Sequence, residues 1–97
     1  MVNTDNVRVP DEALQTMSVL MVDDEANVLR SLKRVLRTEP YKIVTAESGE
    51  KGLELLKQQS FQMIVSDQRM PSMSGIEFLE KAREISPQTI RIILTGY

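Results

Sequence analysis

Two kinds of apolar pattern alternate along the chain, and this alternation constrains the fold more than any other feature. "VLMV" at 19 to 22 is a short continuous apolar run, the pattern of a strand buried on both faces. "ANVLRSLKRVLRT" at 26 to 38 spaces Val28, Leu29, Leu32, Val35 and Leu36 at helical intervals, with Arg30, Lys33, Arg34 and Arg37 on the other side. This helix has an acidic start and a basic end, the sense its dipole favours. Pro40 forbids its continuation, and the β-branched residues of "YKIVTA" at 41 to 46 predict a second strand. "SGEKGLELLKQQ" at 48 to 59 predicts a second helix, weakened by Gly52. A third strand, "FQMIVS" at 61 to 66, precedes a third helix, "GIEFLEKAREI" at 75 to 85, with Ile76, Phe78, Leu79, Ala82 and Ile85 expected inward. "TIRIILT" at 89 to 95 is the fourth strand. Each crossover is long enough for a right-handed βαβ unit, so the expected fold is α/β, an open parallel sheet with helices on both faces.

Composition narrows the chemistry. Ninety-seven residues that are 41% hydrophobic suit a single domain. With 12 basic and 14 acidic side chains the net charge is -2, and no basic face advertises direct contact with nucleic acid or an anionic membrane. There is neither cysteine nor histidine, which excludes disulfides, the usual zinc sites and any Ser-His or Cys-His couple. Oxygen ligands remain, and with them hard cations such as Mg²⁺. No apolar run approaches the ~20 residues of a membrane span, and the N-terminus has no basic start, so a cytoplasmic location is expected. Residues 1–17 are mostly polar and contain Pro10, the composition of an N-terminal tail or linker, with a short helix around "DEALQTM" as the alternative.

In an open α/β sheet, ligands gather outside the carboxyl ends of the strands. Strand one ends in Asp23 and Asp24, strand three in Asp67, and strand four in Thr95 and Gly96. Like charges within a few ångströms cost on the order of a few kcal/mol at an effective dielectric near 20, so such a cluster calls for a cation. Mg²⁺ takes one or two carboxylates, keeps several waters and accepts a phosphate oxygen. Acid cluster, cation and hydroxyl together point to phosphoryl chemistry with a carboxylate nucleophile. Taken singly, Asp23 and Asp24 also fit a solvated cap of the first helix, Asp67 a turn before Pro71, and Thr95 an ordinary strand end. The six methionines fit core filling, and the basic stripe of the first helix fits a solvated face.

"LMVDDE", "SDQRMPSMSG" and the later "LTG" resemble, in order and spacing, the receiver domain of two-component response regulators. The resemblance covers roughly residues 18–97 and implies a flavodoxin-like, CheY-like doubly wound sheet, here with four strands. It implies that Asp67 is the phosphoacceptor, phosphorylated by a sensor histidine kinase or phosphotransfer protein, and that Thr95 is the switch hydroxyl. Asp24 then resembles a direct Mg²⁺ ligand, Asp23 its direct or water-bridged neighbour, and Arg69 the donor of a main-chain carbonyl to the same ion. Met70, Pro71 and Gly75 shape the loop, Pro71 by its fixed φ and Gly75 by permitting tight entry into the third helix. The chain would switch an output domain or partner rather than act as an enzyme, beyond self-catalysed phosphotransfer and autodephosphorylation.

Two departures qualify the resemblance. The family places a lysine after a fifth strand, followed by a fifth helix, whereas this sequence stops at Tyr97; none of Lys33, Lys42, Lys51, Lys57 and Lys81 takes that role, and Tyr97 is not the family's switch aromatic. The expected domain, 18–97, is therefore incomplete at its C-terminus, with an exposed strand edge inviting a homodimer or strand-exchanged dimer. Gly96 stands where a small residue, frequently alanine, is common. The missing lysine keeps open a non-phosphorylated pseudo-receiver acting as a protein-protein interaction module. A haloacid-dehalogenase-like phosphatase ranks last, because it wants D-x-D-x-T where this chain reads "DDEAN".

Overall fold

Four parallel strands pair in the order β2-β1-β3-β4 in the computed structural model, which describes residues 17–95. They are β1 (Ser18–Val22), β2 (Lys42–Ala46), β3 (Met63–Asp67) and β4 (Ile90–Leu94), linked by α1 (Ala26–Val35), α2 (Gly49–Gln58) and α3 (Gly75–Ile85). A 3-10 turn, Leu36–Thr38, ends the first helix. The expected alternation is therefore present, with boundaries shifted by one or two residues at several ends. The expected tail at 1–17 lies, apart from Met17, outside the described residues, as do Gly96 and Tyr97.

Register divides the core in two because alternate strand residues face opposite sides. On one face Val19 and Met21 of β1 and Met63 and Val65 of β3 pack with Leu29 and Leu32 of α1. On the other, Leu20, Val22 and Ile64 meet Leu56 of α2 and Phe78 and Ala82 of α3. All five residues of β1 are buried, as its unbroken apolar run requires of a central strand.

α3 corrects the inward set. Phe78 and Ala82 are fully buried, but Ile76 is 52% and Ile85 36% exposed. The helix leans on α2 through the Phe78 side, which turns Ile76 to an open surface groove shared with Leu79, Arg83 and Ile93. Among the described residues β2 and β4 are the two edges of the sheet, and Ile90, Ile92 and Leu94 of β4, in register with Met63, Val65 and Asp67, are exposed.

Gly52 is not simply a weak helix former. A Cβ there would lie 2.8 and 2.9 Å from ring carbons of Phe78 and 3.3 Å from Val22. Alanine gains about 1 kcal/mol of helix propensity, but a fully buried ring cannot retreat without opening the core. We expect Gly52→Ala to lower stability by about 1–2 kcal/mol, as overpacking does. Urea unfolding checks this, and an unchanged or higher midpoint would refute it.

Candidate functional site

The site forms where β1 and β3 end side by side. The Val22 to Ser66 register sets Asp23 and Asp67 at neighbouring strand ends. Asp23 is further tied to β2, its N–H donating to the Ala46 carbonyl at 3.1 Å. Each of Asp23, Asp24 and Asp67 offers a carboxylate oxygen, all within 4.8 Å of one another. Asp23 and Asp67 are half-buried and Asp24 is exposed.

Burial pushes the Asp23 carboxyl above the ordinary carboxylate range, and the charges of Asp67, Asp24 and Glu25 push it the same way. The Glu25 N–H, which donates to Asp23 Oδ1 at 2.9 Å, opposes them. Three acids mutually repelling at one half-buried point are what a divalent cation would neutralise. The donor set, oxygen only, fits Mg²⁺.

The loop after Asp67 is drawn back toward it. Met73 N–H donates to the Pro71 carbonyl at 2.7 Å around Ser72, whose φ is 69°. Gly75 N–H then donates to the Gln68 carbonyl at 3.0 Å, so the start of α3 lies against the end of β3. Ser74 and Glu77 form a capping box at that start.

The chain matches the family described as the response regulator receiver domain over residues 19–97. It belongs to that family. It is 40% identical over 80 residues to the hydrogenase transcriptional regulatory protein HoxA of Cupriavidus necator, covering 82% of this chain and 16% of that protein. The chain thus spans about a sixth of that relative's length. A structure of the response regulator TrrA from Thermotoga maritima, in complex with Mg²⁺-BeF, superimposes with a TM-score of 0.79 at 35% identity, covering 84% of this chain and 71% of that one. The Vibrio cholerae chemotaxis protein CheY4 gives the same TM-score at 31% identity, with coverages of 84% and 70%. The flavodoxin-like, CheY-like doubly wound sheet expected from the sequence is the fold of this receiver domain.

Within the receiver, the structure brings together the three predicted acids. Thr95 is exposed and follows Leu94, the register partner of Asp67, so it stands one residue past the level of Asp67 on the neighbouring strand. Arg69 is exposed in the loop two residues after Asp67. Met70 packs against the core, together with Met73. The cap of α1 is Glu25 rather than either aspartate, and it caps without a side-chain hydrogen bond. Asp23 instead uses its carboxylate on the Glu25 N–H.

Two residues escaped sequence reading. Ser66, fully buried, donates its hydroxyl to the Asp67 carbonyl at 2.9 Å. Gln68 bonds α3 through its side chain. The S-x-x-E of the capping box at 74 to 77 is, by contrast, a legible signal that marks where α3 begins.

The raised Asp23 pKa fixes the sign of a pH effect. Folded Asp23 holds its proton more readily than unfolded Asp23, so its contribution to stability is fully present below the ordinary carboxylate pKa and is lost as pH rises through the raised value. Asn at this position keeps an acceptor for the Glu25 N–H and has no proton to lose. In metal-free buffer, Asp23→Asn should melt with the wild type in acid and above it once the pH passes the carboxylate range. Parallel melting curves across that range would show that neither burial nor the neighbouring charges hold the Asp23 carboxyl above its ordinary value.

Proposed function

We propose that the chain is a phosphorylation-dependent receiver in which Asp67 accepts a phosphoryl group and Asp23, Asp24, Asp67 and the Arg69 carbonyl hold Mg²⁺. The observation that carries this reading is the convergence of the three carboxylates at adjacent strand ends. A bound Mg²⁺ would neutralise charge between these acids and the phosphoryl oxygens. An Asp67 carboxylate oxygen attacks phosphorus and forms the acyl phosphate. The bond from phosphorus to a donor histidine nitrogen breaks, its electron pair staying on the imidazole, which regains a proton from water. These 97 residues contain no histidine, so the donor histidine lies outside them, on a sensor histidine kinase or phosphotransfer protein.

Aspartyl phosphate adds charge and strong acceptor oxygens beside β4. The Thr95 hydroxyl, one residue beyond the Asp67 register, supplies a donor that follows them and carries the change along the strand. The domain, 18–97, thereby biases an output domain in a longer chain. The protein is a switch, limited to self-catalysed phosphotransfer and autodephosphorylation, and works in the cytoplasm. Among the described residues no helix is long and apolar enough to cross a membrane. The exposed Ile90, Ile92 and Leu94 on the edge strand support pairing into a homodimer or strand-exchanged dimer. The intact acid triad favours the switch over a pseudo-receiver.

Incubation with Mg²⁺ and a small acyl phosphate, followed by intact mass, tests the proposal. One added phosphoryl group is expected, absent when the metal is chelated. No uptake at any Mg²⁺ concentration would move the reading to the pseudo-receiver.

A further inference from the structure

The first turn of a helix leaves backbone N–H groups without intrahelical partners, and in α3 one residue outside the helix satisfies two of them. The Gly75 N–H donates to the Gln68 main-chain carbonyl at 3.0 Å, and the Ile76 N–H donates to Gln68 Oε1, also at 3.0 Å. The next N–H, of Glu77, goes to Ser74 Oγ at 3.2 Å. Gln68 thus grips the start of α3 with both its backbone and its side chain. It is also the residue that follows Asp67 and precedes Arg69.

The same junction is tight on its other side. The Asp67 carbonyl accepts the Ser66 hydroxyl at 2.9 Å and lies so close to Gly75 that a Cβ there would approach it to 2.3 Å. The main chain at 67–68 is therefore held by the buried Ser66 on one side and by the helix start on the other. The peptide carrying the Arg69 carbonyl continues directly from this clamp, so its direction relative to the Asp67 carboxylate depends on where Gln68 is held.

We infer that Gln68 is a positioning residue, whose side-chain carbonyl locks the β3-to-α3 junction so that the Asp67 carboxylate and the Arg69 carbonyl face one ion. It touches neither the ion nor the phosphoryl group. This inference rests on the proposed receiver chemistry and adds to it a part for a side chain that the acid cluster does not include. A supporting partner of this kind typically alters metal affinity or activity by one to two orders of magnitude.

The test compares Gln68→Met, which keeps the length and loses the oxygen acceptor, with Gln68→Glu, which keeps an acceptor within reach of the Ile76 N–H. In the full chain, well below the melting temperature of each variant, the Mg²⁺ concentration for half-maximal phosphorylation by acetyl phosphate should rise about tenfold in Gln68→Met and stay near the wild-type value in Gln68→Glu. Amide hydrogen exchange of the metal-free proteins provides a second readout, with the Ile76 amide losing protection in Gln68→Met and keeping it in Gln68→Glu. Should Gln68→Met not fold, Gln68→Asn, one methylene too short to reach, takes its place. A residue that only stabilises the fold would lower the melting temperature and leave the Mg²⁺ dependence of the folded protein unchanged. That outcome, or equal impairment of Gln68→Glu and Gln68→Met, overturns the inference. If the wild type itself takes up no phosphoryl group, the receiver chemistry fails instead, while Ile76 exchange still reports whether Gln68 clamps the helix.

Discussion

Asp67→Asn is expected to abolish phosphoryl uptake while making the metal-free protein more stable. The amide is a poor nucleophile and cannot form the acyl phosphate, so uptake falls to the background of a chain without an acceptor. Stability moves the other way because the carboxylates of Asp23, Asp24 and Asp67 approach within 4.8 Å, and the charge on Asp67 is one cause of the raised Asp23 pKa. Water screens the exposed Asp24, so the relief is smaller than the bare Coulomb term, on the order of 1 kcal/mol, or roughly 4–8 °C in melting temperature for a domain of this size. Added Mg²⁺ should raise the melting temperature of the wild type more than that of the variant, because the variant offers one charge fewer. Thermal melts with and without metal check the stability arm. A clear fall in the melting temperature of metal-free Asp67→Asn would show that the acids are not in conflict.

Gly75→Ala should be among the most damaging single-methyl additions in the domain. The added Cβ would lie 2.3 Å from the Asp67 carbonyl oxygen, 3.0 Å from its carbon and 3.0 Å from the Gln68 Cα. Every one of these is a main-chain atom, so no side-chain rotation relieves the overlap. At Gly52 the obstacle is a ring, and at Gly75 it is the strand end itself. The helix start would have to move away from β3, breaking the bond from Gly75 N–H to the Gln68 carbonyl. Alanine's propensity gain of about 1 kcal/mol in a helix interior is small beside this. The expected net loss is about 3 kcal/mol, the upper end of the usual range for overpacking. Urea denaturation reads it directly, and a loss below that of Gly52→Ala would contradict the close approach. Glycine is required here by proximity alone, since its φ is not positive.

Much of this was legible because the chain obeys simple periods. The unbroken apolar run of β1 marked a central parallel strand, and the helical spacing in α1 placed Leu29 and Leu32 against it. The acid triad was legible for the same reason: once strand ends are located, parallel pairing brings their following residues together. The misreadings arose where geometry is not periodic in sequence. Ile76 and Phe78 both sit near the start of α3, yet only the position of α2 decides that Phe78 goes inward and Ile76 outward. An N-cap preference drew attention to Asp23 and Asp24, but the helix begins only at Ala26, after a turn in which Asp23 accepts the Glu25 N–H, so Glu25 holds the cap position. Gln68 gave no signal, because its side chain reaches a backbone N–H eight residues on, across a loop whose path depends on Ser72 at φ 69°. Gly75 was recognised as necessary for tight entry into α3, while the atom it must avoid emerged only from the fold.

The central claim is most directly tested by locating the phosphoryl group. The Mg²⁺-dependent adduct should be trapped by borohydride, which reduces an acyl phosphate to an alcohol, and the chain then digested and sequenced by mass spectrometry. The expected result is homoserine at position 67 and unmodified aspartate at 23 and 24. Reduction at Asp23 or Asp24 with Asp67 untouched would contradict the assignment of Asp67 as the phosphoacceptor.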